Sequence, residues 1–161
     1  MNQDTSLREH LIYLLRGDGA HIDLESVVAD FPAEKANQRI EHLPYTAWQV
    51  LEHMRIAQWD ILEFSRNAAH VSPKWPEGYW PPVQAIRDPA AEWSESVAKF
   101  GADLKEVEDL VRNTELDLFS PIAHGEGQTI LREVLLVADH NAYHLGVLVT
   151  MKRVLEGGDK S

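Results

Sequence analysis

The chain has 161 residues, of which 44% are hydrophobic, and its formal net charge is −11. This length predicts one domain with one substantial core, and the apolar share is ordinary for a folded globular protein. The acidic balance argues against nucleic acid or an anionic membrane as the partner, because both are bound by basic surfaces. The chain has no cysteine, which excludes disulfides, thiolate metal ligands and a cysteine nucleophile.

The N-terminal stretch MNQDTSLREH has acidic and polar residues where a signal peptide has a basic end and an apolar run. No uninterrupted apolar run approaches the roughly 18 residues of a membrane-spanning helix. We therefore expect a cytoplasmic protein with no membrane partner.

Hydrophobic spacing predicts the following helices in the first part of the chain. TSLREHLIYLLRG carries a leucine stripe, with Thr5 or Ser6 as the candidate cap. HIDLESVVADFP predicts a shorter helical piece that breaks at Pro32. PYTAWQVLEHMRIAQWDILEFSRN predicts a long helix that runs to about Asn67, with Pro44 near its start.

The second part begins with a long loop. Residues 68–89 hold five of the chain's eight prolines together with two tryptophans, so they cannot form a regular helix. PAAEWSESVAKFGADLKEVEDLVRN then predicts the third long helix. TELDLFSPIAHGEGQ reads as a loop with a short extended piece at 116–119. TILREVLLVADHNAYHLGVLVTMKRVLE predicts a long apolar last helix.

These elements predict an all-α fold, a four-helix bundle. A short extra helical segment lies near its N-terminus, and a long proline- and aromatic-rich loop joins the second and third long helices. We expect residues 1–156 to form a single domain and residues 157–161 a flexible tail. The long loop can cover one end of the bundle, and loops of such length are more often functional than idle.

Three histidines occupy apolar helix faces. His140 and His144 are four residues apart in ADHNAYHLGVLV, so they point the same way from the last helix, on a stripe that continues through Val137 and Met151. His53 lies in a core stripe of the second long helix. Facing helices build metal sites inside bundles, so the three imidazoles predict a shared site.

The chemistry of imidazole fits this pattern. A neutral ring binds an ion through one nitrogen while the other donates a hydrogen bond. Three protein ligands leave positions open for water or substrate, which is typical of a reactive metal site. A divalent ion there lowers the pKa of bound water or activates a thiolate or carbonyl oxygen. Taken singly, each histidine is more often a hydrogen-bonded core residue, and it is their combination that favours a metal site.

Nitrogen donors suit zinc, nickel, iron(II) and copper by type, so the sequence does not select the metal. The residue after His140 is Asn141. The HExxH signature of one class of zinc proteases is therefore absent.

Three stretches carry a resemblance to a known family: LPYTAWQVLEHMRIAQWDILEFSRN, VSPKWPEGYWP and ILREVLLVADHNAYHLGVLV. In these stretches, which cover most of residues 43–149, the chain resembles the DinB/YfiT-like superfamily of bacterial metal-binding four-helix bundles. The resemblance implies that His53, His140 and His144 hold a divalent metal, with zinc or nickel favoured and iron as a further candidate.

Characterised members of that family include transferases and isomerases that use low-molecular-weight thiols. The resemblance thus implies a thiol-dependent S-transferase that acts on small molecules. A metal-dependent hydrolase is the competing chemistry. A noncatalytic metal-binding, stress-associated homodimer is the alternative of a different class.

Aromatic residues of the long loop bear on this choice. Trp75, Tyr79 and Trp80 either wall a pocket over the metal or plug one end of the bundle. Leu136 and Tyr143, which we place opposite the histidines on the last helix, suggest a dimer seam or further packing.

The remaining polar candidates are weaker. We expect Asn141 to form hydrogen bonds within the bundle, Asp60 to be solvated rather than to support His53, and His124 not to be a ligand. Surface or loop positions are expected for the other histidines: His10, His21, His42 and His70.

Overall fold

The computed structural model describes residues 2–17, 19–83 and 87–157. Its regular elements are α1 (Gln3–Arg16), α2 (Leu24–Ala29), a 3-10 turn (Ala33–Lys35), α3 (Ala47–Arg66), α4 (Pro89–Arg112) and α5 (Ile130–Gly157). Within these ranges there is no strand, only an isolated bridge between Pro121 and Thr129. The predicted all-α bundle of four long helices is confirmed, with α2 as the short extra segment.

Helix α3 is the centre of the bundle, since it packs along both α4 and α5. Helix α1 lies against α4 and α5 at one end, while α2 and the 3-10 turn cover the other end. Buried side chains form two cores along α3. The first core includes Trp48, Leu51, Met54, Phe100 and Leu148. The second core includes Leu11, Leu62, Val111, Val134 and Val137.

Local hydrogen bonds decide where two of the elements begin. Helix α1 is capped by Asn2, whose side chain accepts from the Thr5 backbone N–H. The predicted caps Thr5 and Ser6 are wrong, because the helix starts earlier. Helix α3 begins after Thr46 in a capping box, in which Thr46 and Gln49 each satisfy the other's backbone N–H.

The extended piece predicted at 116–119 is also wrong, since these residues form turns. The side chain of Asp117 accepts from the Phe119 N–H at 3.0 Å and from the Ser120 hydroxyl at 2.6 Å. An aspartate that binds the backbone two residues on favours a turn over a strand.

The last helix ends the described part of the chain. Gly157 closes α5, whereas residues 158–161 of the predicted tail lie outside the described residues. The division into a domain and a tail therefore stays a prediction. Among the described helices, α5 is the one that is long and apolar enough to cross a membrane, a test that core helices of soluble bundles also pass. The expectation of no spanning-length apolar segment was thus too strict for α5.

Candidate metal centre

The structure brings the three predicted histidines together. His53 projects from the second turn of α3 and is 3% exposed. His140 and His144 project from the middle of α5 and are half-buried. One nitrogen from each ring lies within 4.8 Å of those of the other two. Helix packing between α3 and α5 thus creates a point of convergence that neither helix has by itself.

Both ring nitrogens of His53 have defined neighbours. His53 Nδ1 lies 3.2 Å from the backbone carbonyl of Tyr79, to which it donates as an N–H. In a neutral ring the His53 Nε2 then carries the lone pair, and it lies 3.0 Å from His140 Nε2. Two nitrogens bound to one ion at about 2.0–2.1 Å, with angles of about 90–109° between them, are roughly 2.8–3.4 Å apart. The donor pair therefore fits a shared ion.

Burial keeps these rings neutral. It lowers the pKa of His140 to about 4, and the neighbouring His53 adds to the effect. The pKa of His144 is lowered to about 4 by burial and by His140 and His53. Burial also lowers the pKa of His53, while the hydrogen bond to the Tyr79 carbonyl acts in the opposite direction. Neutral imidazoles with free lone pairs are the form that binds a metal.

The long loop forms one wall of the centre. Trp80 is stacked between Tyr45, with ring centroids 3.7 Å apart, and His53, with centroids 3.9 Å apart. Gln49 Nε2 donates to the carbonyl of Pro81 at 2.8 Å and so fastens the loop to α3. Trp75 lies farther out, 6.3 Å from the His53 ring.

The carboxylate of Asp60 forms hydrogen bonds with two residues of the long loop. The Tyr79 hydroxyl donates to Asp60 at 2.6 Å, and His70 Nε2 lies 2.7 Å from the other Asp60 oxygen. Burial and the Asp60 carboxylate raise the pKa of Tyr79 to about 12. The expectation of a solvated Asp60 was wrong, because its side chain is largely buried. His70 lies in a loop, one of the two positions expected for it, and its side chain is largely buried there.

Above the histidines lies an open cavity of about 440 Å³. Leu136 and Tyr143 line it beside His140 and His144, so their predicted place on the opposite face is wrong. The spacing explains this, because positions 136, 140 and 143 follow the i, i+4, i+7 pattern of one helix face. The other lining residues are Tyr45, His53, Trp75, Trp80 and Asp139. Tyr79 is not among them and acts through its carbonyl and hydroxyl.

The other polar candidates lie away from the centre. His124 Nε2 is 2.6 Å from the carbonyl of Phe64, near the far end of α3. Asn141 Nδ2 donates to Gln58 Oε1 at 2.9 Å, which confirms the expected bond within the bundle. Its Oδ1 is buried without a hydrogen-bond partner among the described residues.

Sequence reasoning missed Tyr45 and Asp139 as cavity residues. Asp139 could have been predicted from helical spacing. It follows Leu136 by three residues and precedes Tyr143 by four, so the three side chains share one helix face. Tyr45 precedes its helix and reaches the cavity through its stack on Trp80, a contact across the fold that no local pattern reveals.

Fold and site together define a class, that of helical bundles with a three-histidine group at the junction of two long helices. A family model described as the DinB superfamily matches residues 18–148, and the chain belongs to that superfamily. Neither the search of the curated proteins nor that of the solved structures found a match.

Proposed function

We propose that His53, His140 and His144 hold one divalent metal ion, and that the protein is a metal-dependent enzyme acting on small molecules. The observation that supports this most is the approach of His53 Nε2 to within 3.0 Å of His140 Nε2, next to His144 and beneath an open cavity. A closed structural site uses four protein ligands, whereas three ligands beside a cavity leave room for a substrate. Zinc or nickel fits the nitrogen donors, and iron(II) is a further candidate.

The reaction we propose is an S-transfer to an electrophilic small molecule. The sulfur of a low-molecular-weight thiol loses its proton and forms a bond to an electrophilic carbon, while the leaving group departs with the electron pair of its broken bond. A divalent ion in this position supplies Lewis-acid chemistry that favours the thiolate form of a low-molecular-weight thiol. The chain has no cysteine, so the thiol is a separate molecule. Metal-dependent hydrolysis is the alternative chemistry at the same site.

The chain's own residues prepare the centre. The Tyr79 carbonyl accepts a hydrogen bond from the Nδ1–H of His53 and so directs the Nε2 lone pair inward. Trp80 covers one face of the His53 ring and excludes water from that side. Asp60 holds Tyr79 in place through the phenol hydroxyl.

Metal binding is tested with protein purified without a histidine tag. Elemental analysis is expected to give one ion per chain, and His140→Ala is expected to weaken zinc binding at least 100-fold. Far-ultraviolet circular dichroism should stay helical, because the apolar cores carry the fold. His124→Ala is the matched control, since this exposed imidazole lies against Phe64 near the far end of α3, away from the three histidines. Equal zinc affinity of His140→Ala and wild type would remove the proposed centre.

Catalysis is tested separately with metal-loaded protein, a low-molecular-weight thiol and an alkylating electrophile. The wild-type rate should exceed that of His140→Ala. Equal rates would leave the noncatalytic metal-binding alternative.

We also propose a cytoplasmic homodimer that binds neither nucleic acid nor membrane. The acidic charge argues against nucleic acid and an anionic membrane. Exposed apolar side chains of α5 that do not line the cavity, Leu135 and Val154, support the dimer. Light scattering on a size-exclusion column gives the mass, and a monomer at high micromolar concentration would contradict the dimer.

A further inference from the structure

The walls of the histidine cavity have an unusual combination of chemistry. Two aromatic side chains at its rim are mostly solvent-exposed, Trp75 at 66% and Tyr143 at 71%. Tyr143 lies edge-on to His144, with centroids 4.9 Å apart, and Trp75 is tilted by 57° to the His53 ring, with centroids 6.3 Å apart. Binding of a flat apolar group to a large aromatic surface is favourable, because it removes apolar area of both from water. The rim therefore offers a contact surface on each side of the convergence point.

The charge that lines the cavity is negative. Asp139 is the one carboxylate among its lining residues, and these include no lysine or arginine. Asp139 lies one turn before Tyr143 on α5, so the two side chains project from the same helix face and both line the cavity. Small-molecule sites that recognise carboxylates or phosphates use arginine or lysine, whereas aromatic faces next to a carboxylate favour cations. The net charge of −11 acts in the same direction.

We propose that the substrate carries an aromatic group that is uncharged or cationic. This group lies on Trp75 and Tyr143, next to Asp139. The reacting atom of the substrate points to the three histidines. This inference rests on the proposed function and specifies its substrate class. Anionic substrates, including acidic thiols, are disfavoured by Asp139.

The proposal predicts an order of affinities for matched probes. The probes are benzyl mercaptan and its derivatives with a para-aminomethyl or a para-carboxylate group, in which the methylene keeps the thiol chemistry similar. Calorimetric titration of zinc-loaded protein is expected to show at least tenfold tighter binding of the neutral and cationic probes than of the carboxylate. 2-Mercaptoethanol reports binding of a thiol without the ring.

Two variants separate charge from stacking. Asp139→Asn should bring the cationic and carboxylate probes to within about threefold of each other and leave the neutral probe unchanged. Tyr143→Ser should weaken every aromatic probe and leave 2-mercaptoethanol unchanged. Zinc content is measured for each variant, so that loss of metal is distinguished from loss of the rim.

The outcomes are distinct. A protein that takes up no zinc contradicts the proposed function and this inference with it. If zinc binds but the three aromatic probes have affinities within threefold, or the carboxylate binds most tightly, the inference is wrong while the metal centre stands. The inference is equally overturned if no aromatic probe binds and Tyr143→Ser converts a dimer into a monomer, because a second copy of the chain then covers the rim.

Discussion

Two buried polar clusters in the described part of the bundle differ in their hydrogen bonding. In the arginine cluster, Arg8 of α1 is 7% exposed and donates to the carbonyls of Val111, Asn113 and Leu116 at 2.7–2.9 Å. Every contact in it joins a donor to an acceptor. In the histidine cluster, formed by the three imidazoles of α3 and α5, ring nitrogens converge on one another.

The difference separates a structural role from a functional one. The guanidinium of Arg8 satisfies carbonyls at the C-terminal end of α4, where a helix leaves acceptors without partners. Four of its five N–H donors have protein acceptors, the fourth being the carboxylate of Asp4 at 2.8 Å. In the histidine cluster, by contrast, the nitrogen lone pairs of neutral imidazoles can bind a metal ion or a proton. The comparison predicts that changes in the arginine cluster alter stability, while changes around the histidine cluster alter metal binding.

Removal of the arginine side chain tests the structural half with the largest expected effect. Arg8→Ala removes the guanidinium from three carbonyls, of which that of Asn113 still accepts from the Leu116 N–H. We expect the free energy of unfolding to fall by about 3 kcal/mol. Urea unfolding followed by circular dichroism measures it. Arg153→Ala, at an exposed position of α5, should stay within about 0.5 kcal/mol of wild type. An unchanged midpoint for Arg8→Ala would show that the cluster does not support the fold.

The pH dependence of stability tests the histidine cluster without metal. His140 and His144 have pKa values lowered to about 4 in the folded protein, whereas an unfolded imidazole titrates near 6.5. Between these values the unfolded state binds more protons, so stability falls as pH decreases from about 6.5 to 4. The full shifts of the two rings together give about 3.7 kcal/mol between pH 7 and pH 5. Because solvent screens these half-exposed rings, we expect a loss of about 2 kcal/mol.

Metal-free protein is used for this measurement, with urea unfolding at each pH. The His140→Ala variant should lose less stability over the same interval, because one proton-linked ring is gone. The same pH profile for variant and wild type would contradict the lowered pKa of His140.

Removal of the Asp60 side chain, which holds Tyr79 in place, is expected to have an intermediate effect on zinc affinity. Asp60→Ala removes the acceptor of the Tyr79 hydroxyl and so loosens the carbonyl that orients His53. We expect zinc affinity to fall about tenfold, the lower end of the range for partners of metal ligands. Asp109→Ala is the control, because this exposed carboxylate on α4 pairs with Lys105 and Arg112 and not with the described residues of the loop behind the histidines. Equal zinc affinity for both variants would leave Asp60 with a purely structural role.

The two clusters were not equally visible in the sequence. The histidines stand out because an imidazole interrupts an apolar stripe, and helical spacing alone gives the direction of His53, His140 and His144. Arg8 does not stand out, since an arginine on an amphipathic helix reads as part of its polar face. Its carbonyl partners come from residues 111–116, about a hundred positions along the chain, and no local pattern predicts such a contact.

The same limit applies around the centre itself. The four long helices and the three histidines follow from hydrophobic periodicity, which depends on neighbours in the sequence. The bond between Asp60 and Tyr79, and the stack of Tyr45 on Trp80, depend on the path of the long loop. Proline-rich segments have no period from which such a path can be read. Aromatic residues there were therefore predicted as a group, while their separate contacts were not.

The smallest expected effect concerns the start of α3, which sets the height of His53 in the bundle. Thr46→Ala removes the side chain that accepts from the Gln49 N–H and should reduce the free energy of unfolding by about 1 kcal/mol. Thr46→Ser keeps the hydroxyl and should retain most of that stability, which urea unfolding can resolve. Zinc affinity should be the same for both variants, because the first core still fixes α3. A weaker zinc site in Thr46→Ala alone would mean that the cap, like the loop, positions the histidine cluster.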